Sequence, residues 1–275
     1  MTKLKNNFKM GCASAESDNN YITAEFYINE EAVNEEVEII DCIEHFNQGR
    51  SNVVLDEEDA KEMESIKNEE DIKKTSISIN NKPIQFCYQY KFPAPGNYTI
   101  KYSFNEPLKQ TSYMFNDCQY LKKVDLSHFD TSNLTKIFAM FQSCVNLETL
   151  IFFKSPLDKL THMNFFLHNC SKIKSISWSN FNQEIAVKME YLFTGCHELE
   201  TVDLSNFKAK IMSAEYMFNE CDNIKKVDLS GLVSTDESDL ETMFLGMGKI
   251  EKGNLVIKDE KILQEYENSL KGENN

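Results

Sequence analysis

Cysteine and histidine are the residue types in this sequence best suited to metal or redox chemistry. Five of the eight cysteines recur at intervals of 26, 26, 26 and 25 residues: Cys118, Cys144, Cys170, Cys196 and Cys221. None of them forms the C-x-x-C pair typical of structural zinc and dithiol redox sites. Met247 occupies the next equivalent position, which favours apolar packing over chemistry in this column. The spacing therefore predicts a ladder of buried free thiols.

The five histidines do not form a recognisable metal motif either. They lie at His45, His128, His162, His168 and His197, without an H-E-x-x-H pattern. The closest combinations, His168 with Cys170 and Cys196 with His197, belong to separate repeats. The sequence also lacks G-x-S-x-G, P-loop, G-x-G-x-x-G and D-x-D-x-D-G motifs. We therefore expect no catalytic residue, no metal, no cofactor and no enzymatic activity.

The cysteine interval belongs to a repeat with further columns. An apolar pair precedes each cysteine by four and three residues, and Leu or Ile follows it by three. Val124-Asp125-Leu126-Ser127 recurs at 202–205 and 227–230, and in degenerate form at 150–153 and 176–179. Such self-similarity is the signature of a stacked repeat architecture.

Within one unit the apolar period changes. Val124 and Leu126 alternate as in a strand, whereas a helix-like spacing follows at Ile137, Met140, Phe141 and Cys144. Thr131 or Ser132 would cap that helix. Stacked units of this kind predict a parallel sheet with helices outside, and Trp178 falls in an inward column.

The phrase Leu121-Lys-Lys-Val-Asp-Leu-Ser-His-Phe-Asp-Thr-Ser, with Met140-Phe-Gln-Ser-Cys-Val-Asn-Leu after it, resembles BspA-type leucine-rich repeat proteins. The resemblance covers about residues 103–248. It implies a curved solenoid used for protein recognition, in a family with many surface and adhesion proteins of bacteria and protists.

The flanking segments are interpreted as caps. Strands are predicted at 22–28, 37–40, 75–79, 84–92 and 97–104, the last three as an antiparallel meander, with an acidic helix at 56–70. The predicted fold class is α/β: a leucine-rich-repeat-like solenoid with a parallel sheet and outer helices, preceded by a small α+β N-terminal cap. The predicted domains are a flexible N-terminus (1–20), an acidic α+β domain (21–105), about six repeats (106–248) and a C-terminal cap and tail (249–275).

The balance of charged residues limits the classes of partner that are expected. The chain carries 29 Lys and Arg against 44 Asp and Glu, a net charge of -15, and Arg50 is its only arginine. This is the wrong sign for neutralising nucleic-acid phosphates, so no nucleic-acid partner is expected. Nineteen of the acidic residues lie between Gly11 and Asp71. The lysine-rich, arginine-poor usage is consistent with an AT-rich protist genome.

No stretch of about 18 apolar residues and no apolar signal-peptide core is present, so a cytoplasmic chain is expected. Membership of a cytoskeletal or other large assembly is compatible with this expectation. The N-terminal sequence supports an alternative localisation and function. If translation began at Met10, Gly11 and Cys12 would be candidate acylation sites. The protein would then be a membrane-surface or adhesion protein.

The outward columns of the strands are the candidate binding surface for a protein partner. They comprise Lys123, Asp125, Ser127, Ile151, Phe153, Ser177, Asp203, Ser205 and Asp228. Ile151 and Phe153 are apolar residues in columns that are otherwise polar or charged. Exposed apolar groups with a polar rim are typical of an interface centre. Alternatively, a slipped register in the second and third units turns both side chains inward. The predicted function is a non-catalytic interaction or scaffold module.

Overall fold

The computed structural model describes residues 20–49, 66–178, 182–248, 250–251 and 253–272. Over these residues the chain is mostly strand and turn, and its repeats form a leucine-rich-repeat-like β-solenoid of about five turns. The strands are β1 (Tyr21–Ile28), β2 (Glu36–Glu38), β3 (Ser76–Ile79), β4 (Lys82–Ile84), β5 (Gln89–Lys91), β6 (Gly96–Ser103), β7 (Leu121–Asp125), β8 (Thr149–Ile151), β9 (Ser175–Ser177), β10 (Asn182–Lys188), β11 (Thr201–Asp203), β12 (Lys208–Ser213), β13 (Lys226–Asp228), β14 (Leu232–Val233) and β15 (Leu255–Val256). The helices are α1 (Ile43–Gly49), α2 (Glu69–Ile72) and α3 (Glu260–Gly272), with a 3-10 helix at Glu30–Ala32.

The N-terminal strands continue directly into the solenoid. Strand β1 alternates buried and accessible residues, and it pairs antiparallel with both β6 and β7. The six-stranded sheet has the order β4-β3-β6-β1-β7-β8. The first repeat strand is therefore covered at its outer edge by β1.

The predicted meander is wrong in one strand. The segment 84–92 is divided between β4 and β5, and β5 pairs with β2 in a separate sheet. Strand β6 returns instead to pair with β3. The acidic helix expected at 56–70 falls mostly outside the described residues, which contain α2 at its end.

The repeat strands stack in parallel and in register. Val124 pairs with Leu150, and Val202 pairs with both Ile176 and Val227, so each apolar column points into one core. The stack is divided, since β8 ends the first sheet and β9 begins a second with the order β15-β13-β11-β9. Strands β10, β12 and β14 form a further parallel sheet.

The predicted outer helix is wrong. Each repeat forms one coil of the solenoid, and the segment expected to be helical, such as 137–144 before β8 in the second coil, is a run of tight turns. In the second coil, Ala139 and Ser143 have positive φ angles of 51° and 60°, which interrupt any helix. Backbone N–H groups reach the next coil, as from Tyr113 to the carbonyl oxygen of Phe138 at 3.0 Å. Thr131 caps no helix, because its hydroxyl donates to the carbonyl oxygen of Pro156.

The predicted cysteine ladder is confirmed. Cys118, Cys144, Cys170, Cys196 and Cys221 are free and buried. Trp178, predicted to lie in the core, is also buried and stacks on Phe152 with ring centroids 4.7 Å apart. Among the described residues, no helix is long and apolar enough to cross a bilayer.

Candidate functional site

The face of the strands opposite the core carries the predicted binding columns. Val124, Ile176 and Val202 are buried, and the residues on either side of each point away from the core. The second outward column consists of Asp125, Ile151, Ser177, Asp203, Asp228 and, in β15, Val256. The strand register brings these residues side by side within each sheet, with a break between Ile151 and Ser177.

Aspartate ends several of the strands by a repeated local contact. Asp125 Oδ1 accepts a hydrogen bond from the backbone N–H of Ser127 at 2.8 Å. Asp203 accepts from both the N–H and the hydroxyl of Ser205, at 3.0 and 2.6 Å. These bonds hold the pKa of Asp203 below its usual value, chiefly through the Ser205 hydroxyl. The Asp-Leu-Ser motif therefore shapes the end of the strand as well as lining the face.

The second coil lacks this contact, because Ile151 and Phe153 replace the aspartate and the serine. After Ile151 the chain turns so that the next two residues, Phe152 and Phe153, are both buried. Phe153 is only 3% exposed and packs on the rings of Phe129 and Phe152, with centroids 5.8 and 5.0 Å away. The expectation that Phe153 is exposed is wrong.

Ile151 keeps the orientation predicted for it. Its side chain is 38% exposed, and its backbone carbonyl oxygen accepts a hydrogen bond from Leu126 N–H at 2.9 Å. The two residues were predicted to point the same way, either both outward or both inward. The structure separates them at the end of β8, which leaves Ile151 as the apolar residue of this column in the first sheet, while Val256, 36% exposed, ends the column in the second sheet.

The charged groups around the face are largely paired. Lys123 forms an ion pair with Glu25 at 2.9 Å, which joins β7 to β1. Lys122 pairs with Glu148 at 2.7 Å between the first two coils. Lys225 likewise pairs with Glu200 at 2.8 Å. Exposed pairs of this kind contribute little to stability. The Lys123–Glu25 and Lys122–Glu148 pairs lie at the sheet that contains Ile151, and the Lys225–Glu200 pair lies beside the second sheet.

A second cluster was missed in the sequence. The side chains of Glu38, Asp41 and His45 lie next to one another near the start of α1. The sequence there has no metal-binding motif built from two histidines or two cysteines. The signal that could have indicated it is the short spacing E-x-x-D-x-x-x-H. The candidate acylation sites Gly11 and Cys12 lie outside the described residues, so the membrane-surface alternative stays a prediction.

Two family models match the chain. The model described as BspA type leucine rich repeat region matches in six copies over residues 138–264. The model described as Mycoplasma protein of unknown function, DUF285, matches residues 86–175. Comparison with curated proteins and with solved structures gave no significant match.

Proposed function

We propose that this BspA-type leucine-rich repeat protein binds another protein through the outward face of its repeat strands, around Ile151. Repeats of this class generally mediate protein–protein interaction. The single observation that carries the location is the exposure of Ile151, an apolar side chain beside Asp125 in a column whose only other apolar member among the described strands, Val256, lies at the far edge of the second sheet. An apolar centre with a polar rim is the arrangement of a small recognition interface.

The face is preformed, which favours binding without reordering. Neighbouring strands are joined by backbone hydrogen bonds, and residues such as Asp203 are held by bonds to the serine that follows. A rigid surface loses little conformational entropy when a partner docks. The proposed role is therefore a rigid recognition or scaffold surface and not a catalytic centre.

The charge of the face indicates the chemistry of the partner. Asp125, Asp203 and Asp228 share the column of Ile151, whereas most of the net charge of -15 of the whole chain comes from residues 11–71. A complementary partner would present an apolar side chain flanked by hydrogen-bond donors or basic groups. The same negative charge opposes binding to nucleic acid.

Co-purification with substitutions on two faces tests this function. Tagged full-length wild type is compared with Ile151→Asp and with Val145→Asp, whose side chain is 36% exposed in the turn after Cys144. We expect a partner that wild type and Val145→Asp recover equally and Ile151→Asp loses. Equal recovery by all three proteins, with unchanged folding, would contradict the proposal.

A further inference from the structure

Three side chains with metal-ligating atoms converge where the N-terminal segment meets the first coil. Glu38, Asp41 and His45 each place a ligand atom within 4.8 Å of the other two. His45 Nδ1 lies 2.7 Å from Asp41 Oδ1 and 3.5 Å from Glu38 Oε1. Within the described residues, this is the one group of three His, Cys, Asp or Glu residues with such geometry.

Each of the three residues is positioned by a different contact. Glu38 ends β2, and its Oε2 accepts a hydrogen bond from Gln89 Nε2 at 2.9 Å, which directs Oε1 toward His45. The backbone N–H of Asp41 donates to the carbonyl oxygen of Met114 at 2.8 Å, and the Asp41 side chain is only 5% exposed. The carboxylate is thus fixed against the first coil.

The imidazole is held by stacking. The rings of His45 and Tyr88 lie nearly parallel, with centroids 3.9 Å apart and an interplanar angle of 12°. The Tyr88 hydroxyl in turn donates to Glu69 at 3.1 Å. Such contacts outside the ligands fix the orientation of a metal-binding imidazole.

A cavity of about 380 Å³ opens beside the cluster. Its wall contains the three residues together with Phe46, Gln48, Gln89 and Asp117. A water molecule occupies about 30 Å³ in the liquid, so the cavity has room for the waters that complete a coordination shell. Three protein ligands with an open side is the pattern of an accessible metal site.

We propose that Glu38, Asp41 and His45 bind a borderline divalent transition ion, of which Zn²⁺ is the representative. One imidazole with two carboxylates suits such an ion, whereas Mg²⁺ and Ca²⁺ prefer shells made only of oxygen. The Cys42 thiol is not part of the cluster, and its Sγ lies 3.4 Å from the Tyr88 hydroxyl.

Binding requires only side-chain movement. Tetrahedral bonds of about 2.1 Å place ligand atoms about 3.4 Å apart, so the separations of up to 4.8 Å must shorten by about 1.4 Å at most, and the 2.7 Å between His45 Nδ1 and Asp41 Oδ1 must lengthen by about 0.7 Å. The ion would lie between His45 Nδ1 and the two carboxylates. It would replace the hydrogen bond that now joins His45 Nδ1 to Asp41 Oδ1. It would link β2 to α1, so the folded chain is expected to gain thermal stability on loading.

Calorimetric titration with ZnCl₂ tests the site on full-length protein stripped with a chelator. Glu38→Gln removes one ligand without changing its shape, and His45→Phe keeps a ring against Tyr88. His197→Phe is the matched control, because His197 is exposed and lies beside Cys196 and Glu198. The absorption of added Co²⁺ reports the coordination of the ion independently of the heat of binding.

We expect one Zn²⁺ per chain in wild type and in His197→Phe, with a raised melting temperature. Each ligand variant should bind at least tenfold more weakly and lose the zinc-dependent shift. Absence of binding in wild type would overturn the proposal. Binding that survives both ligand substitutions would overturn it too, since the ion would then lie elsewhere.

Discussion

The thiol of Cys170 donates a hydrogen bond to the backbone carbonyl oxygen of Phe141, in the preceding coil, over 3.1 Å. The same contact joins Cys144 to Phe115 at 2.9 Å. The thiols of Cys144, Cys170, Cys196 and Cys221 therefore each link two neighbouring coils. This gives the cysteine column a structural role that an apolar residue of similar size only partly replaces.

The ladder thiols should resist modification in the folded protein. Burial raises the pKa of Cys170 well above its usual value and that of Cys221 to about 12, so little reactive thiolate forms at pH 8. We expect iodoacetamide to leave all five ladder cysteines unmodified in native protein and to modify them in urea, as mapped by peptide mass spectrometry. Rapid labelling of a ladder cysteine in folded protein would contradict the packing role.

A pair of substitutions at one repeat position tests the turns that replace the outer helix. Gly195 and Glu220 occupy equivalent places with φ angles of 73° and 59°. Gly195→Ala should cost at least about 2 kcal/mol, because the methyl group would collide with the Asn169 side chain and alanine disfavours this conformation. Glu220→Gly should stabilise the fold by about 0.5 kcal/mol, since Glu220 is exposed and glycine relieves the strain.

Urea denaturation of both proteins measures these changes. A continuous helix at this position would reverse the outcome, since glycine weakens helices and alanine strengthens them. Opposite signs to those expected would therefore restore the helix model.

Aspartate substitutions at Ile151 and Phe153 should differ strongly in their effect on folding. Phe153 is 3% exposed, so Phe153→Asp buries a charge and removes an aromatic ring, at a cost of about 3–5 kcal/mol. Ile151→Asp should change the free energy of unfolding by less than about 1 kcal/mol. Similar destabilisation by both, measured in urea, would show that Ile151 also lies inward.

His168 should make the fold less stable as the pH falls. Burial against the outer turns lowers its pKa from 6.5 to about 4, so between these values the unfolded chain binds a proton that the folded chain does not. The free energy of unfolding therefore decreases as the pH drops from 6.5 toward 4.

The variant His168→Gln isolates this effect from that of the carboxylates. Between pH 7 and pH 5, wild type should lose about 1–2 kcal/mol more than the variant, allowing for partial contact of the ring with water. Urea denaturation at the two pH values measures these losses. If wild type and variant lost the same free energy of unfolding between pH 7 and pH 5, the pKa of His168 would not be lowered in the folded chain.

The core columns could be predicted from the sequence because burial follows the repeat period. Val124, Leu126 and the cysteines lie inward as expected, and Trp178 fills the core of the third coil. The helix was predicted wrongly because consecutive turns, closed by hydrogen bonds such as those from Met140 N–H to the carbonyl oxygen of Ile137 and from Cys144 N–H to that of Phe141, place apolar residues three or four positions apart, as a helix does. Most of the positive φ angles are held by non-glycine residues such as Ala139, so only Gly195 and Gly246 mark the interruption in the sequence.

The candidate sites depended on contacts that no local pattern shows. The Asp-to-Ser hydrogen bond that follows β7, β11 and β13 is missing after β8, where Phe153 turns inward and packs on Phe129 and Phe152. The cluster around His45 depends on Tyr88 and on Met114, which are distant in sequence. Such pairings require the three-dimensional structure.

Photocrosslinking at single positions tests whether a partner docks on the strand face around Ile151. A photoreactive amino acid replaces Ile151 in one full-length protein and Val145 in another, two sites of similar exposure on different parts of the coil. Crosslinks are formed in the native cells and identified by mass spectrometry. The strand-face account predicts one partner crosslinked at position 151 and absent at position 145. A partner captured only at position 145, or none at position 151 in folded protein, would contradict it.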